Sequence, residues 1–410
     1  MSNITLGGAG DFVAPLRAVD LRIVTSGLAL LLLGIIFLNE VIDGRQAWLF
    51  LVGGALGLVL YHALFGFTSA FRVFFSDRRG AGLRAQMIML ALACVLFFPV
   101  LASGDLFGRE VSGFIAPVGI SVVIGAFLFG LGMQLGGGCA SGTLFTVGGG
   151  STRMVITLLG FVAGSVLGAY HLPWWQEQPA FQPVSLIGSF GWLPALIANL
   201  AVFVAIYLGT IWLEKRRHGK LLEGADGQAR GWQRFLRGPW PLVWGAVALA
   251  FLNFITLALA GRPWGITSAF ALWGSKALAA GGVDVASWGY WSSAGRAASL
   301  EQTVFSDITS VMNFGIIIGA FLAAGLAGKF APIWKLPRRS VVAAIVGGLL
   351  LGYGARLAFG CNIGAYFSGI ASGSLHGWVW IVAALAGNWL GMRLRPWFGL
   401  VVERTPQNSA

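Results

Sequence analysis

Two of the three cysteines stand in matching surroundings. The segment Gly130–Gly142 (GLGMQLGGGCASG) aligns without a gap on Gly352–Gly364 (GYGARLAFGCNIG), placing Cys139 opposite Cys361, Gly138 opposite Gly360 and Gln134 opposite Arg356. A thiol beside a glycine run can do two kinds of chemistry. It can donate a weak S–H hydrogen bond to a passing anion, or act as a nucleophile where a helix N-terminus lowers its pKa. Asn362, Ser141 and Thr143 add amide and hydroxyl groups beside the two thiols. A membrane cysteine is more often a small apolar filler, and that reading suits Cys94, which sits in an unbroken apolar stretch without a counterpart. The matched positions of Cys139 and Cys361 favour function for both. No His, Asp or Glu adjoins either of them in sequence, so a covalent mechanism would need its base from elsewhere in the fold. The cysteine spacing fits neither a zinc site nor a disulfide framework, and no G-x-x-x-x-G-K-[ST] loop occurs, so no metal, cofactor or nucleotide site is expected.

Arg356 is the sharpest polar signal inside an apolar stretch. An arginine there costs a few kcal/mol on insertion scales and normally faces a cavity or a partner. Counted from Arg339 it also lies about 25 Å along a helix, far enough to snorkel to the headgroups. Both readings stand at this point. Lys276 fits an interfacial lysine better than a path residue.

The residues around these groups form a second echo. Gly66–Phe71 (GFTSAF) returns as Gly265–Phe270 (GITSAF), setting Thr68 and Ser69 opposite Thr267 and Ser268. Two echoes in the same order make one half of the chain a copy of the other. The composition, 57% hydrophobic and 10% charged, places both halves in a membrane. Apolar runs predict about ten spanning helices, near 21–39, 47–65, 84–102, 114–135, 153–170, 191–213, 240–260, 308–328, 341–360 and 375–397. Short apolar pieces after Gly66, Cys139, Gly265 and Cys361 cannot span and follow glycine-containing breaks, so they read as four half-helices, two per half.

The net charge of +12 would suit nucleic acid, but its distribution points to lipid instead. Arg17 and Arg22, the Arg72–Arg84 loop, Arg153, the 214–238 stretch, Lys329–Arg339 and Arg393–Arg404 all fall on one side, the positive-inside pattern of a cytoplasmic face. The opposite loops carry Glu40, Asp43, Asp105, Glu110, Glu177, Asp284, Glu301 and Asp307. Five crossings separate equivalent helices, so the repeats are expected to be inverted. The reading is an all-α integral membrane protein with both termini cytoplasmic. It comprises an N-terminal segment 1–20, a first half 21–213, a basic linker 214–238, a second half 239–400 and a tail 401–410. In such a protein broken helices persist only around a protein-lined or water-filled path, and half-helix N-termini there favour an anion.

The segments GFTSAFR at Gly66–Arg72, GGGCASG at Gly136–Gly142 and GARLAFGCNIGAYFSGI at Gly354–Ile370 resemble the YeeE/YedE family of sulfur-transport membrane proteins. The resemblance implies uptake of thiosulfate, or a related sulfur or selenium species, through an inverted-repeat protein of the bacterial inner membrane. It implies cysteines on a central path that pass the anion by S–H hydrogen bonds, with Cys139 and Cys361 matching two of them. The third family cysteine directly precedes Phe-Thr-Ser-Ala-Phe-Arg, and Gly66 stands in its place, so a three-thiol relay does not carry over intact. A TusA-type sulfur carrier is the implied cytoplasmic partner, as a separate protein. The path is therefore expected to involve Cys139, Cys361, Gly138, Gly360, Asn362, Arg356, Gln134, Ser69 and Ser268. The reading is a transporter rather than an enzyme, with a membrane thiol or sulfane-sulfur enzyme as the alternative.

Overall fold

The computed structural model describes residues 18–221 and 231–403. Most of the expected N-terminal segment, the centre of the linker and the tail from residue 404 lie outside the described residues. The first half comprises α1 (Leu21–Val41), α2 (Gly44–His62), α3 (Phe67–Asp77), α4 (Ala81–Ser103), α5 (Ile120–Gly136), α6 (Ala140–Gly148) and α7 (Thr152–Gln176). A short α8 (Leu186–Phe190) leads into α9 (Trp192–His218), and α10 (Gly231–Arg237) precedes α11 (Leu242–Ala260). The second half continues with α12 (Thr267–Ala280), α13 (Ala294–Glu301), α14 (Ile308–Leu326), α15 (Arg338–Leu357), α16 (Ser368–Ala371) and α17 (Leu375–Leu394). Aspartates start several of these helices by accepting the free amides of the first turn: Asp20 from Arg22 and Ile23, Asp43 from Gln46, and Asp307 from Ser310.

Nine helical segments among the described residues are long and apolar enough to cross a membrane. The remaining expected span, α17, forms over 20 residues but carries buried His376 and Asn388. The short pieces take the expected places. Helices α3, α6 and α12 have 11, 9 and 14 residues, all below the roughly 20 that a ~30 Å hydrocarbon core requires. After Cys361 comes a π-helical turn, Asn362–Phe367, followed by the four residues of α16.

One expected span differs. The helix predicted over 114–135 begins only at Ile120, because Pro117 has no backbone donor and turns Ala116 away from helical angles. The residues before it form a small ribbon, Asp105–Leu106 with Arg109–Glu110, then run extended until Val118–Gly119 pairs with Ala180–Phe181. The start of the linker is anchored to the helices. Glu214 is fully buried and accepts from the Gly80 amide at 3.0 Å and from Arg84 Nη1 at 2.6 Å.

With α9 (Trp192–His218) counted as the repeat partner of α1, and so with the second half and not inside the expected 21–213, the main seams join one half to the other. Helix α2 packs on α14, α4 on α11, α5 on α17 and α7 on α15, while α1 packs on α14 and α9 on α4. Exchanging the halves turns each of these pairs into another member of the set. The central pair, α5 and α15, crosses with Gly125 beside Gly354, Gly132 beside Leu351 and Gly136 beside Gly347, so the two helices run antiparallel. Glycine allows the backbones to meet, the means by which helices associate where no water drives them together. A Cβ at Gly319 would lie 1.9 Å from the Gly54 carbonyl oxygen, and one at Gly387 1.9 Å from that of Phe127.

This packing predicts that Gly319→Ala destabilises the protein by about 1–3 kcal/mol, the usual cost of overpacking. Gly209→Ala, where a Cβ meets nothing within 4 Å, should be neutral. Melting temperatures of the two purified variants check this; equal values would show that the seam has room to yield.

Candidate functional site

Both breaks place a cysteine at the start of a short helix. Helix α5 stops at Gly136, Gly137 turns the chain with φ +95°, and Cys139 is the residue that caps α6. Its Sγ accepts the Gly142 amide at 3.4 Å and lies 3.3 Å from Ser141 Oγ, while Thr143 Oγ1 donates to the Cys139 carbonyl at 2.8 Å. In the second half α15 stops at Leu357, Gly360 adopts φ +157°, and Cys361 opens the π-helical turn. A Cβ on Gly360 would come 2.8 Å from the Ala365 amide nitrogen, and one on Gly138 would come 3.1 Å from the Gly142 carbonyl carbon. These two glycines therefore let the chain fold back onto the following turn. Both cysteines are buried, α6 packs on the 362–367 turn, and the two thiols lie within electrostatic range of each other. Next to Cys361, Asn362 is fully buried, with no partner among the described residues for either its amide nitrogen or its oxygen.

Helix breaks leave carbonyls without amides, and buried ones must find donors. At the first break, Arg153 donates to the Gly136 and Leu135 carbonyls at 2.7 and 2.6 Å, and Arg395 donates to that of Gln134 at 2.6 Å. At the second, Ser121 Oγ donates to Leu357 at 2.7 Å, His376 Nε2 to Ala358 at 2.9 Å and Trp380 Nε1 to Gly360 at 3.3 Å. Charged donors thus close the first break and neutral donors the second.

A cavity of about 360 Å³ reaches the second break. Gly360 and Gly364 form part of its wall on either side of Cys361, together with Arg262, Arg296, Arg356, Ser268 and Tyr290. Arg356 is buried and faces this cavity, which decides between the two readings of its sequence position. Its Nη1 donates to Tyr290 OH at 2.9 Å and its Nη2 to Thr267 Oγ1 at 2.7 Å. Arg296 stacks on the Tyr290 ring at 4.4 Å, and Arg262 donates to Thr309 Oγ1 at 3.1 Å. Two buried donors of the wall, Arg356 Nε and Trp264 Nε1, have no acceptor among the described residues. No side chain caps the start of α12, whose first amides add partial positive charge at the same wall. Three guanidiniums, free donors and a helix N-terminus suit an anion.

The equivalent place in the first half is smaller, with Arg79 as the arginine of its wall. Gln134, the counterpart of Arg356, donates to the Thr68 carbonyl at 3.2 Å and to Asn388 at 2.8 Å, so each of the paired residues binds its own copy of the Thr-Ser motif. Ser69 lines a 180 Å³ cavity with Gly66 and donates to the Gly66 carbonyl at 3.0 Å. Ser268 instead binds Thr309 Oγ1 at 3.1 Å. Lys276 leaves the path entirely, its Nζ held by the Leu300 and Gln302 carbonyls. Cys94 is buried where α4 meets α16, with its thiol 3.7 Å from the Ile370 carbonyl.

Sequence reasoning missed Arg262, Arg296 and Tyr290 at the cavity and Arg153 and Arg395 at the first break. One signal was present: Arg262 lies three residues before Gly265, the start of the second Thr-Ser-Ala-Phe motif.

Comparison with known proteins places this arrangement. The chain is 33% identical over 185 residues to the probable transporter YedE of Escherichia coli strain K12, a match covering 44% of this chain and 45% of that protein. It thus spans less than half the length of that relative. It is 29% identical over 363 residues to the thiosulfate transporter TsuA of Spirochaeta thermophila, covering 83% of this chain and 96% of that protein. For TsuA of Escherichia coli strain K12 the identity is 25% over 347 residues, covering 82% and 91%. Residues 62–390, which contain both cysteine-bearing breaks and every wall of the arginine cavity, match the family described as sulphur transport, and the chain belongs to that family.

Proposed function

We propose that this protein carries a small sulfur-containing anion, thiosulfate foremost, inward across a bacterial inner membrane. The observation that carries the reading is the arginine cavity, whose unpartnered donors await an acceptor and whose floor adjoins Cys361. On the positive-inside assignment this cavity faces outward, and both chain ends lie in the cytoplasm. The anion exchanges water for Arg262, Arg296 and Arg356, then for the Cys361 thiol and the Asn362 amide, then for Cys139 and Ser141. Each thiol gives a weak hydrogen bond, strong enough to hold an anion briefly and weak enough to release it. At Gly66, a Cβ would meet Ser69 Oγ at 2.6 Å, so the serine hydroxyl occupies the space that a third thiol would need. Delivery to a TusA-type carrier on the cytoplasmic side completes the reading.

Uptake of labelled thiosulfate into cells lacking their own importers tests this. Cys361→Ala should reduce uptake at least about tenfold at equal protein level, since removing the only side-chain donor of that residue leaves a buried anion short of a hydrogen bond. Sulfate should compete poorly. Normal uptake by the variant would remove the thiol from the mechanism, and selenium analogues outcompeting thiosulfate would move the substrate.

Arg356→Gln copies the residue of the other half. It should raise KM about 10- to 100-fold, the equivalent of losing one charged hydrogen bond worth about 1.5–3 kcal/mol. An unchanged KM would mean that Arg356 serves only Tyr290 and Thr267. Cys94→Ala should leave uptake within about twofold of wild type, as expected for a buried filler; a severe loss at normal expression would place Cys94 on the path.

A further inference from the structure

Three arginines gather at the first break without any being needed for the cavity at the second. Arg72 lies one turn beyond Thr68 on α3, Arg153 lies near the start of α7, and Arg395 follows α17. Arg395 is within electrostatic range of both others. Arg72 and Arg395 are each 8% exposed. Guanidiniums this close repel each other, and the structure answers with a single carboxylate. Glu403 grips Arg72 through both oxygens, at 2.6 Å to Nε and 2.6 Å to Nη2. The same segment accepts Arg395 Nε and Nη2 on the Val401 carbonyl at 3.0 and 2.8 Å, and Ser76 Oγ on the Glu403 carbonyl at 2.9 Å. Burial works against the charge on Glu403, yet the hydrogen bonds and charge of Arg72 hold its carboxyl below the usual range, so it is ionised at neutral pH.

The carboxylate is held from outside the helices and remains 46% exposed at its side chain, whereas Arg72 is 10% exposed at its own. The arginine is fixed and its counterion is accessible. One turn before Arg72, Thr68 Oγ1 is buried without a partner among the described residues, as is Oε1 of Gln134, whose amide binds the Thr68 carbonyl and whose own carbonyl is held by Arg395. In the other half the matching threonine hydroxyl is bound by Arg356. The first break therefore has a free hydroxyl, with positive charge supplied by residues that have no part in the repeat. Bidentate geometry of this kind serves any planar or tetrahedral oxyanion equally well.

We propose that Arg72 and Arg395 form a second anion site, for a small oxyanion or its sulfur analogue, at the mouth opposite the arginine cavity, and that Glu403 fills it as a tethered stand-in. The transported anion reaches Arg72 by displacing Glu403, and the return of Glu403 drives the anion off. The role in transport rests on the function proposed above; the binding site itself does not.

Binding of inorganic thiosulfate to the purified full-length protein tests the site directly, by calorimetry and by the shift in melting temperature. The Arg356→Gln background weakens the first cavity, which keeps Arg262 and Arg296, and is held constant throughout the series. Adding Glu403→Gln should then tighten thiosulfate binding about tenfold if the carboxylate occupies the site nine-tenths of the time. Adding Arg72→Gln to both should abolish that gain, with melting in the absence of anion verifying that the triple variant is folded. Arg72→Lys provides a second variant that keeps the charge and loses the fork, and should recover only part of the gain. Unchanged or weaker binding in the Glu403→Gln protein, or a gain that survives Arg72→Gln, overturns the proposal and leaves Glu403 as an anchor for the chain end. Tighter binding by the Glu403→Gln protein, together with absent thiosulfate uptake by wild type, would sink the transport reading while leaving this site standing.

Discussion

A backbone amide or carbonyl inside hydrocarbon has no water to turn to, and leaving one unpaired costs several kcal/mol. Interrupting two central helices is therefore permitted only where side chains supply what the ladder no longer does. Each break here is closed by donors from other helices: Arg153 and Arg395 at the end of α5, and Ser121, His376 and Trp380 at the end of α15. The glycines that allow the close turns, the antiparallel crossing of α5 and α15, and the burial of both thiols all follow from keeping those groups paired. The donors also set the electrostatics. Charge used for closure at the first break is unavailable to a ligand unless a counterion leaves, whereas neutral closure at the second leaves Arg356 free to face a cavity.

The two halves thus share a frame and differ in what they mount on it. Gln134 and Arg356 each reach their own copy of the Thr-Ser motif, one through an amide to Thr68 and the other through a guanidinium to Thr267. Between α3 and α4 the chain needs only residues 78–80, whereas between α12 and α14 it runs through 281–307 and delivers Tyr290 and Arg296 to the cavity. Symmetric helices with unequal loops thus give a larger cavity lined by three arginines beside the second break and a smaller one beside Gly66 and Ser69.

Much of this was legible in the sequence because it is written in periodic or repeated signals. Hydropathy located the helices, and the gapless match of Gly130–Gly142 with Gly352–Gly364 located both breaks, their cysteines and the Gln134/Arg356 pair. The side on which Arg356 ends up was not legible, because distance along a helix says nothing about which neighbour covers it; Tyr290 and Thr267 decide that. Arg262 and Arg296 were missed because they come from irregular segments, where no period links a residue to the site it joins. The extended run before Ile120 was read as helix because its apolar residues satisfied a composition window that cannot see the geometry Pro117 imposes. Arg72 and Arg395 looked like ordinary members of a basic face, since a charge that faces lipid headgroups and one that closes a helix end have the same sequence signature.

The seams between the helices also bear on how the protein is made. Helix α2 finds its principal packing partner in α14, α4 in α11, and α5 in α17, so no half encloses a core of its own. During synthesis α2 is complete roughly 250 residues before α14 begins, an interval on the order of ten to fifty seconds at ordinary translation rates. Throughout that time the glycine-lined face of α2 is inserted but unmatched, lying against lipid or whatever attends the insertion machinery. Assembly is therefore largely deferred until the second half has been made, and a nascent chain arrested between α7 and α9 would be a set of spanning helices without a fold.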